Sequence, residues 1–412
     1  MKILLIGEYS NVHATLAQGL RSLGHHVVVA SNGDFWKNYP RDLDWARSGT
    51  SRFAALRLMA KICCDLPRLR GFDIVQFINP VFAELKAERL RPFYRYLRRH
   101  NKRVILCAMG MDWYWVHTCT HEKPLRYSDF NIGAETRTNA DAVKEQKDWL
   151  GTAKGQLNKF IARDCDGIVA GLYEYYVCYK PAFPEKTVYI PLPIHSKPEM
   201  LRQLQAHPHQ GPLRLFIGIN ERRSEYKGTD IMLRAAEAVA QKHPTEVQLR
   251  VARSVPFRQY VEMMNGSDAI LDQLYSYTPS MNSLEAMSRG LVCIGGGEEE
   301  HYRLLGEAQL RPIVNVQPNY ESVYSQLEKL VANRHHIDDL KRQSIEYVNR
   351  HYDHLLVAKK YEAFYERVLR GETKRQNVEG VAARLSKTAD ESAPCAAEAD
   401  KARTIVCAAP AL

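Results

Sequence analysis

Arg222, Arg223 and Lys227 stand close together in the stretch GINERRSEYKGTD, after an apolar run and ahead of Gly228 and a helical pattern. Three cations at a strand end suit a diphosphate leaving group. The planar fork of Arg grips two oxygens, Lys adds a compact charge, and both neutralise charge that grows as the phosphate departs. The plain alternative is a solvated basic loop. A second stretch, YSYTPSMNSLEAMSRG at 275–290, reads as a loop turning into a helix. Asn282 and Glu285 fit a capping box, with Glu285 bonding back to the cap residue. The same helix start also offers N–H groups around Ser280, Asn282 and Ser283 to phosphate, with Glu285 taking the hydroxyls of a ribose.

Other candidates are sparser. In GGGEEEH at 295–301, glycines that follow a strand let backbone approach a ligand, so Gly296, Gly297 and Glu300 are candidates for holding sugar hydroxyls. A flexible turn entering an acidic helix start explains the same residues. Asp112 lies just past a strand with Trp113, Trp115, His117 and His121 nearby, a set that suits a sugar-like acceptor or a simple turn cap. The loop GEYSNVH at 7–13 has only Gly7 where a dinucleotide fold carries three glycines, so NAD or FAD is not expected there. Ser10, Asn11 or His13 remains available to an acceptor, or the helix is capped and His13 is a bystander. Residues 86–103 hold eight Lys or Arg and one acidic residue, with Phe93, Tyr94 and Tyr96 interleaved. That suits an anionic membrane surface as well as a solvated face. No nucleic-acid recognition motif accompanies it. The D-x-D spacings at Asp42 and at Asp164 lack a convincing context, and no metal is expected.

The elements that must position these residues alternate. Apolar runs at 2–6, 27–30, 73–77, 104–108, 167–170 and 187–191 read as strands, with helices at 11–23, 82–99 and 156–163 between them. Residues 109–149 read as irregular and functional. Residues 195–212 read as a linker, after which the alternation restarts: strands at 213–219, 247–252, 269–274 and 292–295, helices at 230–241, 257–265, 282–289, 320–332 and 337–349. The expected organisation is an acceptor half at 1–194, a linker at 195–212, a donor half at 213–350, a crossover helix at 351–370 and a disordered tail at 371–412. The fold class is α/β, two Rossmann-like domains facing a cleft, with ligands at the carboxyl ends of the strands.

The 412 residues carry a net charge of +10, which favours anionic partners. No apolar stretch is long enough to span a membrane, and nine scattered cysteines without a C-x-x-C pair fit a reducing, cytoplasmic setting.

Assembled, these motifs resemble the glycosyltransferases of the two-Rossmann GT-B fold, and among them the retaining family 4 type. Arg223 with Lys227 and Gly228 is similar to the family's diphosphate-binding pair. Leu284-Glu285-Ala286-Met287 and Gly290 match its L-E-A-M-A-x-G signature, whose Glu holds the ribose. Gly296-Gly297 and Glu300 resemble its G-G-x-x-E. Tyr277 stands where the family has the first Glu of its Glu-x7-Glu pair. The resemblance implies transfer of a hexose-like sugar from a nucleotide-diphosphate donor to a growing glycan or lipid-linked acceptor, without a metal or cofactor, in bacterial surface polysaccharide synthesis, at or near the inner membrane face. It assigns Arg223 and Lys227 to the diphosphate and Glu285 to the ribose; from the residues themselves Arg222 is expected to join the diphosphate pair, and Asp112 and His13 to serve the acceptor. Two other classes stay open: a non-hydrolysing nucleotide-sugar epimerase, and a non-catalytic subunit that binds a glycan or nucleotide sugar.

Overall fold

A computed structural model describes residues 1–253, 255 and 257–373, apart from the side chains of Arg222, Phe257 and Arg258. Residues Met1–Arg375 form one compact unit. The expected tail falls, from residue 374 onward, outside the described residues.

The first half is a seven-stranded parallel sheet. It takes β1 (Lys2–Ile6), β2 (His26–Ser31), β3 (Leu43–Asp44), β4 (Ile74–Phe77) and β5 (Arg103–Ala108). After a small hairpin of β6 (Asn131–Ile132) and β7 (Glu135–Thr136) come β8 (Gly167–Ala170) and β9 (Thr187–Tyr189). The order is β3-β2-β1-β4-β5-β8-β9. Strands such as KILLI are apolar on both sides because both sides are covered. Ile3 and Leu5 pack with helix α1 (Val12–Ser22) and with the last helix. Leu4 and Ile6 pack on the other face with α2 (Arg52–Asp65) and α3 (Ala87–His100).

The second half repeats the design with β10 (Leu213–Ile219), β11 (Val247–Arg253), β12 (Ala269–Leu271), β13 (Val292–Gly295) and β14 (Val314–Asn315), in the order β11-β10-β12-β13-β14. Both sheets therefore reverse their winding direction once, between β1 and β4 and between β10 and β12. Doubly wound sheets bind ligands at such switch points, outside the carboxyl ends of the strands. The last helix, His354–Leu369, returns to the first half. Its Val357, Tyr361, Phe364 and Tyr365 join the cluster under Ile3 and Leu5, and Tyr365 Oη donates to Gln76 Oε1 at 2.8 Å.

Several boundaries differ from expectation. α3 begins at Ala87 rather than at 82. The linker contains a helix, Glu199–Ala206, built from strong helix formers behind Pro198. Residues 109–149 are ordered as a short helix Trp113–His117, the hairpin and a helix Ala140–Trp149.

Candidate functional site

Three loops leave the carboxyl ends of neighbouring strands β10, β12 and β13, and they carry the candidates. After β10 the chain makes a tight turn, Glu221–Arg223, then a short helix, Ser224–Lys227, then Gly228. Gly228 has φ +75°, and a Cβ there would lie 2.9 Å from Leu274, so glycine alone fits between the two loops. Leu274 N–H donates to the Lys227 carbonyl at 2.9 Å, which ties the cationic loop to the one after β12. Arg223 is exposed, with its guanidinium 4.6 Å from the Tyr226 ring centre. Lys227 is half-buried. The Arg222 side chain lies outside the described residues.

At the helix Met281–Ser288 the cap is Ser280, not Asn282. Glu285 is thus too far along the helix to close a capping box. It pairs instead with Lys197 Nζ at 3.0 Å and with Arg289 at 2.7 Å. Ser280, Asn282 and Ser283 do come together, but around an internal carboxylate. Asp272 accepts from Ser280 Oγ and Ser283 Oγ at 2.5 Å each and from Asn282 Nδ2 at 3.1 Å. These three side chains are thus engaged by an internal residue.

The glycines after β13 are spent on internal packing. A Cβ on Gly296 would lie 2.1 Å from the Ser276 carbonyl oxygen, and one on Gly297 would lie 2.6 Å from Ile313. Glu300 pairs with Arg126 at 2.5 Å, and the buried Glu298 takes the same guanidinium at 2.6 Å, with Tyr127 Oη, Gln317 and Asn315 completing its partners. Burial alone would raise the Glu300 carboxyl, but the Arg126 hydrogen bond holds it below its usual range.

Arg126 belongs to a segment of the first half that reaches across to the second. Its backbone N–H donates to Tyr277 Oη at 2.8 Å. Tyr277 is 1% exposed, packed between Tyr127 and Tyr173, and burial pushes its phenol up to about 12. Asp129 accepts from Tyr226 Oη at 2.7 Å. Arg137 donates to the Glu225 and Tyr226 carbonyls at 2.8 and 3.2 Å and lies 3.4 Å over Tyr275. From the other side, Glu174 accepts from Ser276 Oγ, Tyr277 N, Thr278 N and Thr278 Oγ1, all within 3.0 Å. Arg126, Arg137 and Glu174 were invisible to sequence reading because their roles depend on contacts between distant segments. Only Tyr277 marked the spot, as the residue that breaks the family pattern.

The two candidates from the first half are buried. Asp112 caps the helix Trp113–His117 through Trp115 N at 2.8 Å and accepts from Tyr179 Oη at 2.7 Å, and burial raises it to about 6. His13 Nδ1 donates to the Gly7 carbonyl at 2.8 Å while Nε2 meets the Gln76 amide at 3.1 Å, and burial lowers it to about 4. Both fit the plainer of their two readings, a cap and a bystander. The start of α1 is held by Glu8, whose carboxyl oxygens accept from His13 N and Ala14 N. Among the described residues, no group of three or more His, Cys, Asp or Glu is placed to hold a metal ion. The D-x-D carboxylates Asp164 and Asp166 face Arg98.

No family model matches the sequence, and no curated protein matches it. Solved structures do. Sucrose-phosphate synthase from Thermosynechococcus elongatus is similar over 89% of this chain and 99% of that one, with a TM-score of 0.58 at 12% identity. HepE from Anabaena, solved with UDP and glucose, is similar over 88% of this chain and 98% of that one, with a TM-score of 0.51 at 12% identity. The fold is accordingly the GT-B fold of glycosyltransferases: two Rossmann-like halves facing a cleft, with the last helix crossing back.

Proposed function

We propose that the chain is a glycosyltransferase that moves a hexose-like sugar from a nucleotide-diphosphate donor to a growing glycan or a lipid-linked acceptor. One observation carries this reading. The loop with Arg223 and Lys227 and the loop leading to Glu285 flank the β10/β12 switch point, where a doubly wound sheet takes its ligand. HepE has been solved with UDP-glucose at a TM-score of 0.50, so the fold accommodates such a donor.

In this reading Arg223 and Lys227, with Arg222, hold the diphosphate and neutralise it as it departs. Glu285 receives the ribose hydroxyls by exchanging its contacts with Lys197 and Arg289. Gly296, Gly297 and Glu300 border the sugar. Asp112 and His13 are committed to internal partners, so they shape the acceptor side without taking its proton. The acceptor oxygen bonds to the anomeric carbon, the bond from that carbon to the phosphate oxygen breaks, and the released phosphate takes the acceptor's proton. The product keeps the donor's anomeric configuration, and no metal is required. The setting is bacterial surface polysaccharide synthesis, at the inner face of the membrane.

The test is transfer from a panel of nucleotide sugars to glycan acceptors, with the anomer of the product assigned by NMR. Transfer that survives Lys227→Ala unchanged would remove the diphosphate assignment. A second reading, a non-catalytic nucleotide-sugar-binding subunit, draws on Tyr277, which places a phenol where the family has a carboxylate. Donor binding without transfer to any acceptor selects it.

A further inference from the structure

We propose that α2 and α3 form a face that docks on an anionic lipid bilayer, with the outer side of α2 entering the interface. α2 is apolar on two sides. Ala54, Leu58 and Ile62 face the core. Phe53, Leu56, Ala60, Cys63 and Cys64 recur at helical spacing along the opposite side, and all are exposed, Phe53 at 83% and Leu56 at 47%. The other exposed residues of this helix are Arg52, Arg57 and Lys61, all cationic. Its one acidic residue, Asp65, is turned to Trp45 Nε1 at 2.9 Å. A helix of this length lays about 21 Å of apolar stripe along a surface. An apolar stripe edged by cations is the pattern of a helix lying in a lipid interface.

α3 stands beside it on the same face of the sheet, sharing its core. Tyr96 Oη of α3 donates to the Leu66 carbonyl at the end of α2. Phe93 and Tyr94 of α3 point into the core, so α3 does not supply the inserting groups that its sequence suggested. It supplies charge: Lys86, Arg89, Arg91, Arg95 and Arg99 are exposed against one carboxylate, Glu88. Cations near an anionic leaflet add attraction that salt screens.

Two more large apolar side chains, Phe35 and Trp36, are 60% and 68% exposed on the loop after β2. Glu84 accepts from Asn32 Nδ2 at 3.2 Å and from Arg47 N at 3.4 Å, which ties that loop to the segment entering α2. These residues lie at the carboxyl edge of the first sheet. A bilayer against this face thus lies beside the mouth of the cleft, where a lipid-linked acceptor would enter. That consequence rests on the transfer reading; the docking does not.

The experiment is flotation of the full chain with vesicles of phosphatidylcholine alone and of equimolar phosphatidylcholine and phosphatidylglycerol. The chain is expected to float with the anionic vesicles only. Phe53→Ser/Leu56→Ser lowers binding by about tenfold or more, because two large apolar side chains no longer leave water. Arg89→Ala/Arg95→Ala/Arg99→Ala also lowers it and flattens its dependence on salt. Both variants keep the parent's melting temperature, since the altered side chains are exposed, and both keep the parent's nucleotide-sugar binding measured without vesicles. A failure of vesicle binding is thereby separated from a failure of the transfer reading. Equal flotation with both vesicles, no flotation, or parental binding by Phe53→Ser/Leu56→Ser overturns the proposal. So does a lipid-free dimer that this double variant dissolves, which assigns the face to a second copy of the chain.

Discussion

The backbone N–H of Arg126 donates to the Tyr277 phenol at 2.8 Å, and the guanidinium of the same residue lies 5.0 Å from the centre of that ring. The two halves of the molecule meet at this pair. Where the resembled family places a carboxylate, this chain places a neutral ring, and a cation from the other half covers it. That cation also pairs with Glu298 and Glu300.

Tyr277 is expected to be worth more as packing than as a hydrogen bond. Tyr277→Phe should cost about 1 kcal/mol for the lost bond to Arg126. Tyr277→Ala should cost about 3–5 kcal/mol, because the ring fills space between Tyr127 and Tyr173. Urea denaturation of both variants checks the order, and equal losses would contradict it.

Arg126→Ala should let the Glu300 carboxyl rise toward its ordinary range. A carboxyl held below that range adds stability above its unfolded pKa, and the addition is lost as pH falls through its folded value. The parent should therefore lose stability in acid that the variant never had. Melting curves carried from neutral pH to well below the ordinary carboxyl value of 4.5 read the difference; parallel pH profiles would refute it.

Gly296→Ala should destabilise the fold by about 1–3 kcal/mol or more, even with no donor bound. The added methyl would lie 2.1 Å from the Ser276 carbonyl, in the loop that Glu174 holds. Unchanged stability of this variant in urea denaturation would contradict it.

Acid should find the buried histidines. His301 hydrogen-bonds to Tyr347 Oη at 2.8 Å, and burial lowers it to about 3, as it lowers His13 to about 4. Below pH 6.5 the unfolded chain binds protons that the folded chain refuses, so stability falls from there toward pH 4, by about 1.4 kcal/mol per unit for each histidine. Glu8 acts in the opposite direction. Burial raises it to about 8, so the folded chain holds an extra proton between pH 4.5 and 8, and stability declines as pH rises through that window. Glu8→Gln should remove the second slope and leave the first, which scanning calorimetry across pH can resolve.

The two wound sheets were readable because apolar runs and helical spacing alternate along the whole chain, and Gly228 and the motif around Glu285 identified the second half. Three things were not readable. α2 was passed over because RFAALRLMAKICCD has apolar residues on both sides and no clean periodicity. The capping box at Asn282 competed with Asp272, which draws Ser280, Asn282 and Ser283 to itself, and a carboxylate ten residues upstream gives no local signal. Arg126, Arg137 and Glu174 act only once the halves meet. Asp112 and His13 looked reactive by type, and in the folded chain both are buried and hydrogen-bonded to internal partners that lie far off in sequence.

The central claim is that Arg223 and Lys227 hold the diphosphate of a nucleotide sugar. Its most direct test is calorimetric titration of the parent and Lys227→Ala with UDP, GDP, ADP and CMP sugars, alongside melting temperatures, which rise with bound ligand by mass action. The account predicts that one donor class binds and raises the melting temperature, and that Lys227→Ala weakens it by about ten- to a hundredfold through loss of a charged hydrogen bond worth about 1.5–3 kcal/mol. No binding by any of these donors, or binding that Lys227→Ala leaves unchanged, would contradict it.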